Sequence, residues 1–296
     1  MRIDFSQLPE TKKGYNGANG GKKSVIYNGE KYMVKFPPVA RLNNAMSYAN
    51  SCISEYIGCH IFNAVGIRAQ ETLLGVYKLG AIEKVVVACK DFVDLGRQLL
   101  DFASIKNQVV NSLNGGYGVE LSDIMSAIDT QTSFDPVVLK NYFWDVFIVD
   151  ALIGNWDRHN GNWGFLYDEQ NDTLELAPIY DCGSSLYPQA DEAIMTSVLN
   201  DPKEMDFRIK EIPYSAIKID GKNIRYHNFI TSMANDDCNR ALLRIFPKIS
   251  METIYEIVSA TDFISDLQKH FYSVMLHERY ERILKEPYLK LMAQRV

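Results

Sequence analysis

A long helix that is apolar on nearly all of its faces constrains the fold of this chain more than any other feature. Asp135-Pro136 marks its start, because an acidic capping residue followed by proline at the first helical position is a strong start signal. Apolar residues then cover almost every face up to Ile153: Leu139, Tyr142, Phe143, Val146, Phe147, Ile148 and Leu152. A helix with this pattern is buried in a large lobe. Its aspartates, Asp145 and Asp150, then need hydrogen-bond partners, because an unpaired buried carboxylate is costly.

Two polar segments beyond this helix, residues 154–162 and 176–183, hold the candidates for chemistry. Asp157 and Asn162 have the D-x-x-x-x-N spacing of the catalytic Asp and the metal-binding Asn of protein kinases. Asp181 begins a D-C-G that resembles the kinase D-F-G with its middle residue changed. In phosphoryl transfer one carboxylate orients the substrate hydroxyl as base, while an amide oxygen and a second carboxylate hold Mg²⁺. A single loop Asp or Asn is usually a turn or capping residue, so the prediction depends on the joint pattern.

The composition limits the class of protein. With 296 residues, 47% of them apolar and 23% charged, the chain can form one large domain or two lobes. The net charge of −6 argues against a general binder of nucleic acids or anionic membranes, but it allows a local basic pocket for phosphates. The five scattered cysteines predict neither a disulfide framework nor a zinc site. The sequence has no signal-type N-terminus and no transmembrane stretch, so we expect a cytoplasmic protein, with signal-independent secretion left open.

Residues 11–24 form a loop with four glycines and two pairs of lysines. Such a loop can bring backbone N–H groups close to anions, but the Walker pattern is absent, and a glycine-rich loop alone is weak evidence. The loop directly precedes a hairpin, as the nucleotide-covering loop of a kinase does. Six residues are therefore nucleotide-binding candidates: Gly17, Ala18, Asn19, Gly20, Gly21 and Lys22.

The hairpin that follows consists of predicted strands over 24–27 and 31–36, joined by an Asn-Gly turn of the favoured type I′. Lys35 lies near the end of the second strand, where kinases hold the lysine that reaches the α- and β-phosphates. From the residues alone, an ordinary surface lysine is the commoner interpretation. Glu55, on a helix predicted over 44–65, is placed to pair with that lysine as in kinases, but a solvated glutamate is an equal alternative.

Two more strands, predicted over 71–77 and 84–89, complete an antiparallel sheet that carries this one helix. Residues 89–94 leave the last strand and would form the hinge to the second lobe. Lys90 and Phe92 in this segment are further nucleotide-binding candidates. A hinge contacts adenine mainly through backbone groups, so its side chains are a weak guide.

The remainder of the chain is mostly helical. A second hairpin, with strands over 163–167 and 173–176, brings Asn162 and Asp181 back together so that both can meet one metal ion. Residues 182–200 resemble an activation segment. Three of its hydroxyl residues are candidate phosphorylation sites, none of them favoured by the sequence: Ser184, Ser185 and Thr196. Beside Asp157 we interpret Arg158 and His159 as scaffold, and we predict an amphipathic helix near 262–284.

These motifs carry a family resemblance. G-N-x-D-R-H-x-x-N followed by L-A-P-I-Y-D resembles the C-terminal half of the HipA-like serine/threonine kinases, bacterial enzymes of which several are toxin components. Residues 17–20, 32–38 and 88–92 resemble the short stand-alone branch of that family, the CtkA-type kinases. The resemblance thus spans nearly the whole chain. One departure is that residues 14–16 contain no serine, which puts in doubt the self-inactivation by phosphorylation that some members use.

The resemblance implies an α+β, two-lobed protein-kinase-like fold. An antiparallel β-rich N-lobe would span residues 1–90, and a mostly helical C-lobe with the catalytic loop and the metal site would span 91–296. The family context of Met-Val-Lys-Phe-Pro favours Lys35 as the phosphate-binding lysine over a surface lysine.

The implied function is ATP- and Mg²⁺-dependent phosphorylation of serine or threonine on a protein. Asp157 would be the catalytic base, and Asn162 and Asp181 the metal ligands. Autophosphorylation and an antitoxin partner are open expectations, and we expect direct contact with neither nucleic acid nor membrane.

Two alternatives differ in class. The D-R-H-x-x-N loop also resembles phosphoinositide kinases, so a lipid or small-molecule kinase is the second hypothesis; the acidic charge and the lack of a basic amphipathic helix argue against it. The third is a pseudokinase that acts as a binding scaffold. A scaffold need not keep Lys35, Asp157, Asn162 and Asp181 together, so their joint presence argues against it.

Overall fold

A four-stranded antiparallel sheet, in the order β1-β2-β4-β3, forms the first part of the molecule. The computed structural model describes residues 2–15, 21–38, 49–93, 96–109 and 115–294. The four strands have these bounds: β1 (Lys22–Tyr27), β2 (Glu30–Lys35), β3 (Thr72–Leu79) and β4 (Ile82–Lys90). Asn28 and Gly29 join β1 to β2 with φ angles of 51° and 81°. Positive φ at both central residues is what a type I′ turn requires, and it confirms the predicted hairpin.

One helix, α1 (Ser51–Ala64), packs against β3 and β4. Ile53, Ile57 and Ile61 recur at helical spacing, and all three are buried. The helix was predicted over 44–65; residues 44–48 lie outside the part of the chain that the structure describes. The polar residue Glu55 on the same helix is buried as well.

The second part of the molecule is mostly helical. Its helices are α2 (Phe102–Val109), α3 (Leu121–Thr130), α4 (Pro136–Ile153), α5 (Glu192–Asn200), α6 (Pro202–Lys210), α7 (Tyr226–Ser232), α8 (Asp236–Ile245), α9 (Met251–Ala260), α10 (Asp266–Arg279) and α11 (Glu286–Ala293). A π-helical segment, Tyr280–Lys285, joins α10 to α11. The antiparallel strands are β5 (Arg97–Asp101), β6 (Gly164–Asp168) and β7 (Thr173–Leu176), in that order, with the short pair β8 (Lys218–Ile219) and β9 (Lys222–Asn223).

Helix α4 lies in the main hydrophobic core, as its apolar pattern predicts. The Asp135 side chain caps its first turn by accepting hydrogen bonds from the backbone N–H groups of Val137 and Val138. Both aspartates on the helix have the expected partners. Arg244 donates to Asp145 at 2.7 Å, and Asn155 donates to Asp150 at 2.9 Å.

The predicted α+β fold, a β-rich lobe followed by a helical lobe, is confirmed. β4 ends at Lys90, the residue at which we place the end of the N-lobe; the division of the chain into domains there stays a prediction. Strand β5 was not predicted. The amphipathic helix predicted over 262–284 corresponds to α10 and the π-helical segment after it. Within the described ranges, no helix is both long enough and apolar enough to cross a membrane.

Candidate active site

Two adjoining cavities separate the four-stranded sheet from the loops that follow α4 and β7. The larger, about 600 Å³, reaches from Phe92 beyond β4 to Asp181. The smaller, about 440 Å³, contains Asp157 and Ser184. Five residues line both cavities: Lys22, Lys35, His159, Asn162 and Asp181. The structure therefore brings the predicted phosphate-binding, catalytic and metal-binding residues, which are up to 146 positions apart in the chain, to one cleft.

The loop that carries Asp157 begins at a tight turn. Gly154 ends α4 with φ +66°, and a Cβ there would lie 2.9 Å from Pro213 Cγ, so glycine suits this position on both counts. The Asn155 side chain then holds the loop. Its Nδ2 donates to Asp150 on the helix, and its Oδ1 accepts the backbone N–H of Asp157 at 3.1 Å. These bonds hold the backbone of Asp157 in place relative to α4.

The carboxyl of Asp157 has a raised pKa. Burial is the largest cause, since it disfavours the charged form, and the negative charge of Asp181 adds to it. The nearby charges of His159 and Arg158 act in the opposite direction. A carboxylate whose pKa is raised accepts a proton more readily, which suits a general base.

Arg158 holds the loop of Asp157 against the segment of Asp181. Its guanidinium is buried and ion-paired with Asp150 at 3.0 Å, and it also donates to the backbone carbonyl of Asn162 at 2.8 Å. On the far side it donates to the Tyr180 carbonyl and to the Cys182 Sγ. The interpretation of Arg158 as scaffold agrees with these contacts. The five donors of a guanidinium let this one side chain join both segments.

Asn162 and Asp181 offer oxygen ligands that suit Mg²⁺. The Asn162 Nδ2 donates to the Asp157 carbonyl at 2.8 Å, which fixes the amide so that its Oδ1 remains for a metal ion. Lys35 holds the pKa of Asp181 below its usual range, so this carboxyl stays charged. No group of three or more His, Cys, Asp or Glu side chains that could hold a metal occurs among the described residues. Mg²⁺ needs no such group, because it takes one or two protein oxygens with water and phosphate as its other ligands.

The backbone of Asp181 is strained. Its φ is +59°, in the left-handed region that few residues other than glycine adopt. Its N–H donates to Glu55 Oε1 at 3.1 Å. Strain of this kind persists where the surrounding structure enforces it, and it concentrates at functional sites.

Lys35 bridges the sheet and the segment of Asp181. Its Nζ lies 3.1 Å from Glu55 Oε1 and 3.1 Å from Asp181 Oδ1. Of the two alternatives for Glu55, the pair with Lys35 is the one observed, and only 1% of the Glu55 side chain is exposed. Burial alone would lower the pKa of Lys35, but the two carboxylates outweigh it and hold that pKa well above its ordinary value. Lys35 is therefore a fixed positive charge in the cleft.

The predicted nucleotide-covering loop is described only in part. Gly17, Ala18, Asn19 and Gly20 lie outside the described residues. Gly21 directly precedes β1, and its carbonyl accepts the N–H of Phe36 on the neighbouring chain segment. Lys22 lines both cavities, and its pKa is lowered by burial and by the positive charge of Lys35. Of these two residues, Lys22 therefore lines the cleft together with Lys35.

Of the two hinge candidates, only Phe92 lines the cleft with its side chain. Its ring lies 6.0 Å from that of Tyr180. The Lys90 Nζ is instead 3.4 Å from Glu71 on the sheet surface. The Lys90 carbonyl accepts a hydrogen bond from Gln70 Nε2 at 2.9 Å, so this group is already satisfied within the protein.

Two further residues of the cleft, Gln70 and Asp91, were not predicted from the sequence. Gln70 is buried at the back of the larger cavity beside the hinge. Asp91 accepts from Lys13 Nζ at 2.5 Å and from Tyr15 Oη at 2.9 Å, and so ties the start of the glycine-rich segment to the hinge. No local pattern signals this contact, because the partners are 76 and 78 positions apart.

Comparison with known proteins gives the family. A family model of the HipA-like C-terminal domain matches residues 17–261. The chain belongs to this HipA-like family. Within it, the chain is 48% identical over 284 residues to the serine/threonine-protein kinase CtkA of Helicobacter pylori, covering 95% of this chain and 86% of that protein.

Solved structures agree with this membership. The crystal structure of the Helicobacter pylori proinflammatory kinase CtkA superposes with a TM-score of 0.94 at 46% identity, covering 100% of this HipA-like chain and 99% of that one. HipA of Shewanella oneidensis, solved with HipB and operator DNA, matches with a TM-score of 0.53 at 16% identity over 95% of this chain and 68% of its own. The second likeness shows a shared fold. Together the matches confirm the predicted family and the prediction that the chain is a protein kinase.

Proposed function

We propose that this kinase transfers the γ-phosphate of ATP to the hydroxyl of a serine or threonine on a protein, with Asp157 as the base. The observation that carries the proposal is the meeting of Lys35, Asp157, Asn162 and Asp181 at one cleft. They come from a strand, the catalytic loop and the segment after β7. The acceptor class is supported by the 48% identity to a serine/threonine-protein kinase.

The larger cavity suits the nucleotide. Adenine would lie beside the hinge, with Phe92 as one wall, and the phosphates would extend toward Lys35 and Lys22. A lysine amine that is charged and fixed by two carboxylates can donate to phosphate oxygens without first being ordered. Gly21 and the glycine-rich residues before it would cover the phosphates with backbone N–H groups.

Asn162 and Asp181 would hold the metal ion, in keeping with their oxygen donors. When bound, Mg²⁺ neutralises phosphate charge and orients the phosphates for in-line attack. The Asp181 carboxylate would bind the metal ion while it also contacts Lys35. About half of its side chain is exposed, which leaves room for both contacts.

Asp157 would orient the acceptor. Its carboxylate accepts the hydrogen of the substrate hydroxyl, the hydroxyl oxygen forms a bond to the γ-phosphorus, and the bond from that phosphorus to the bridging oxygen of ADP breaks. The proton passes to Asp157. Positioning and base catalysis of this kind contribute about 10²–10⁴ in rate.

A protein partner belongs to the same proposal. The Shewanella oneidensis HipA is solved with HipB and operator DNA, which motivates the expectation of an antitoxin-like partner for this chain. With a net charge of −6, we expect any contact with DNA to run through such a partner. Of the three candidate hydroxyl residues for autophosphorylation, Ser184 lines the cavity of Asp157.

Labelled ATP separates the proposed function from its alternatives. The purified chain is incubated with MgATP and either a generic protein substrate or phosphoinositide vesicles. We expect labelled phosphoserine or phosphothreonine after acid hydrolysis, and unlabelled vesicles. Each Lys or Arg near an anionic surface is worth about 1 kcal/mol, an attraction that an acidic chain lacks.

Two outcomes would contradict the proposal. Labelled vesicles without any recovered phosphoamino acid would establish a lipid kinase. Intact MgATP binding without labelling of any acceptor would establish a scaffold.

A further inference from the structure

A further pocket, of about 260 Å³, opens next to the loop of Asp157 and outside the two cavities of the cleft. We name it the Trp156 pocket. Trp156 lines both this pocket and the smaller cavity of the cleft, whereas Asp157 lines only the cleft. Consecutive Cα atoms are about 3.8 Å apart, so the pocket begins within one residue of the proposed base. Its lining is mostly aromatic and aliphatic, with Trp156, Tyr187, Ile194 and Pro213 among its residues, and it also includes Gln189 and Arg208.

The backbone of the pocket wall is strained. Leu186 and Tyr187 both have φ +55°, in the left-handed region that side chains with a Cβ rarely adopt. A hydrogen bond from the Leu186 N–H to the Ile153 carbonyl, at the end of α4, helps to hold this conformation. The Tyr187 hydroxyl donates to the Arg208 carbonyl at 2.7 Å, so its polar end is satisfied inside the protein. Two adjacent residues held in a costly conformation indicate a shape that the fold maintains.

One aromatic ring at the rim of the pocket is exposed. Tyr214 lines the pocket and is 43% exposed. An exposed apolar group beside a concave site is available to another molecule that binds there.

We propose that the Trp156 pocket binds a large apolar side chain of the protein substrate, close in sequence to the serine or threonine that receives the phosphate. This proposal rests on the proposed function. Because Trp156 lines both the pocket and the cavity of Asp157, the pocket lies directly beside the site that the acceptor hydroxyl must enter. An extended peptide advances about 3.3–3.6 Å per residue, so a residue within a few positions of the acceptor reaches the pocket.

The size and the charge of the pocket define the class of side chain. An apolar cavity of about 150 Å³ is enough to hold benzene in another protein, so 260 Å³ accommodates a Phe, Leu, Met or Tyr side chain. The Arg208 guanidinium lies 5.9 Å from the Tyr187 ring at this site. This guanidinium is paired with Glu204 at 3.9 Å, and none of the described residues that line the pocket is acidic. A lysine or arginine in the substrate would lose its hydration there without gaining a partner, and so it is selected against.

A peptide library tests the proposal. Peptides with one fixed serine or threonine and one varied position at a time are phosphorylated by the full chain with labelled MgATP. The wild-type chain should prefer large apolar residues over alanine at one position near the acceptor, by about tenfold or more, and should disfavour Lys and Arg there. Ile194→Asp, which places a carboxylate in the pocket, and Tyr214→Ala, which removes a rim aromatic, should each reduce that preference several-fold.

Matched controls separate specificity from folding. Tyr255→Ala and Ile219→Asp make the same changes at exposed residues outside the pocket and should keep the wild-type preference. The KM for ATP should stay the same in both pocket variants, because neither residue lines the nucleotide cleft.

The outcomes distinguish the two proposals. If the wild-type chain labels peptides without an apolar preference at any position, or if both pocket variants keep the preference, the pocket proposal fails while the proposed function stands. If the wild-type chain labels no serine or threonine in any peptide or protein, the proposed function fails, and the pocket proposal fails with it.

Discussion

At the scale of single residues, burial acts more strongly on Asp157 than any neighbouring charge does. The pKa of its carboxyl is raised above the ordinary 3.8, and the base must be ionised to accept the hydroxyl proton. Activity is therefore present above the raised pKa and is lost as the pH falls through it. In a profile of kcat/KM against pH, which reports the free enzyme, the acidic limb should lie above pH 3.8. A folded enzyme whose kcat/KM stays constant down to that pH would contradict this assignment.

Single residues also show what could and could not be predicted from local sequence patterns. The proximity of Asp157 and Asn162 was predictable, because only five positions of one loop separate them. The position of Asp181 beside them was predictable too, because a hairpin of predictable length returns the chain. Lys35 needed the family resemblance. Gln70 was not predictable, because its role comes from a tertiary contact with the Lys90 carbonyl that leaves no local pattern in the sequence.

At the scale of elements, α1 positions the cleft through one side chain. Glu55 accepts from Lys35 on β2 and from the Asp181 N–H, so it joins the helix, the sheet and the segment of Asp181. Glu55→Gln keeps an acceptor oxygen but removes the charge that holds Lys35. We expect about a 10²-fold loss of kcat/KM, because small displacements of positioning groups have effects of that order. Glu71→Gln, a change at an exposed glutamate that also pairs with a lysine, is the control and should retain activity. Equal activity of the two variants would show that Glu55 does not position the residues of the cleft.

The elements also differ in how well they could be predicted. Helix α4 was predicted at both ends, because its proline start and its apolar faces are local signals. Strand β5, with the sequence Arg-Gln-Leu-Leu-Asp, lacks a clear alternation of apolar and polar residues. It forms because β6, more than sixty positions later, supplies its hydrogen-bond partners. Long-range pairing of this kind overrides weak local propensity.

At the scale of the whole molecule, the cleft between the sheet and the helical part should couple nucleotide binding to stability. A ligand that binds only the native state stabilises it by about 2.7 kcal/mol at a hundredfold excess over Kd. We therefore expect ATP with Mg²⁺ to raise Tm, and ATP with a chelator to raise it less. Asp181→Asn should lose the metal-dependent part of the shift. Lys35→Ala should weaken the shift with and without metal, because it removes a phosphate contact.

A control on the same sheet completes this test. Lys78 is an exposed lysine on β3, paired with Asp4 at the surface, and Lys78→Ala should keep the full shift. If Lys35→Ala and Asp181→Asn both retain the whole Mg²⁺-dependent shift, the two assignments are wrong.

The central claim is that Asp157 performs catalysis in a cleft that binds MgATP without it. The most direct measurement combines phosphoryl transfer and MgATP-induced stabilisation on one preparation of Asp157→Asn, an isosteric change that removes the base. We expect a loss of about 10²–10⁴ in the rate of serine or threonine phosphorylation, with the MgATP-induced rise in Tm retained. A well-folded Asp157→Asn chain that phosphorylates protein at the wild-type rate would contradict it.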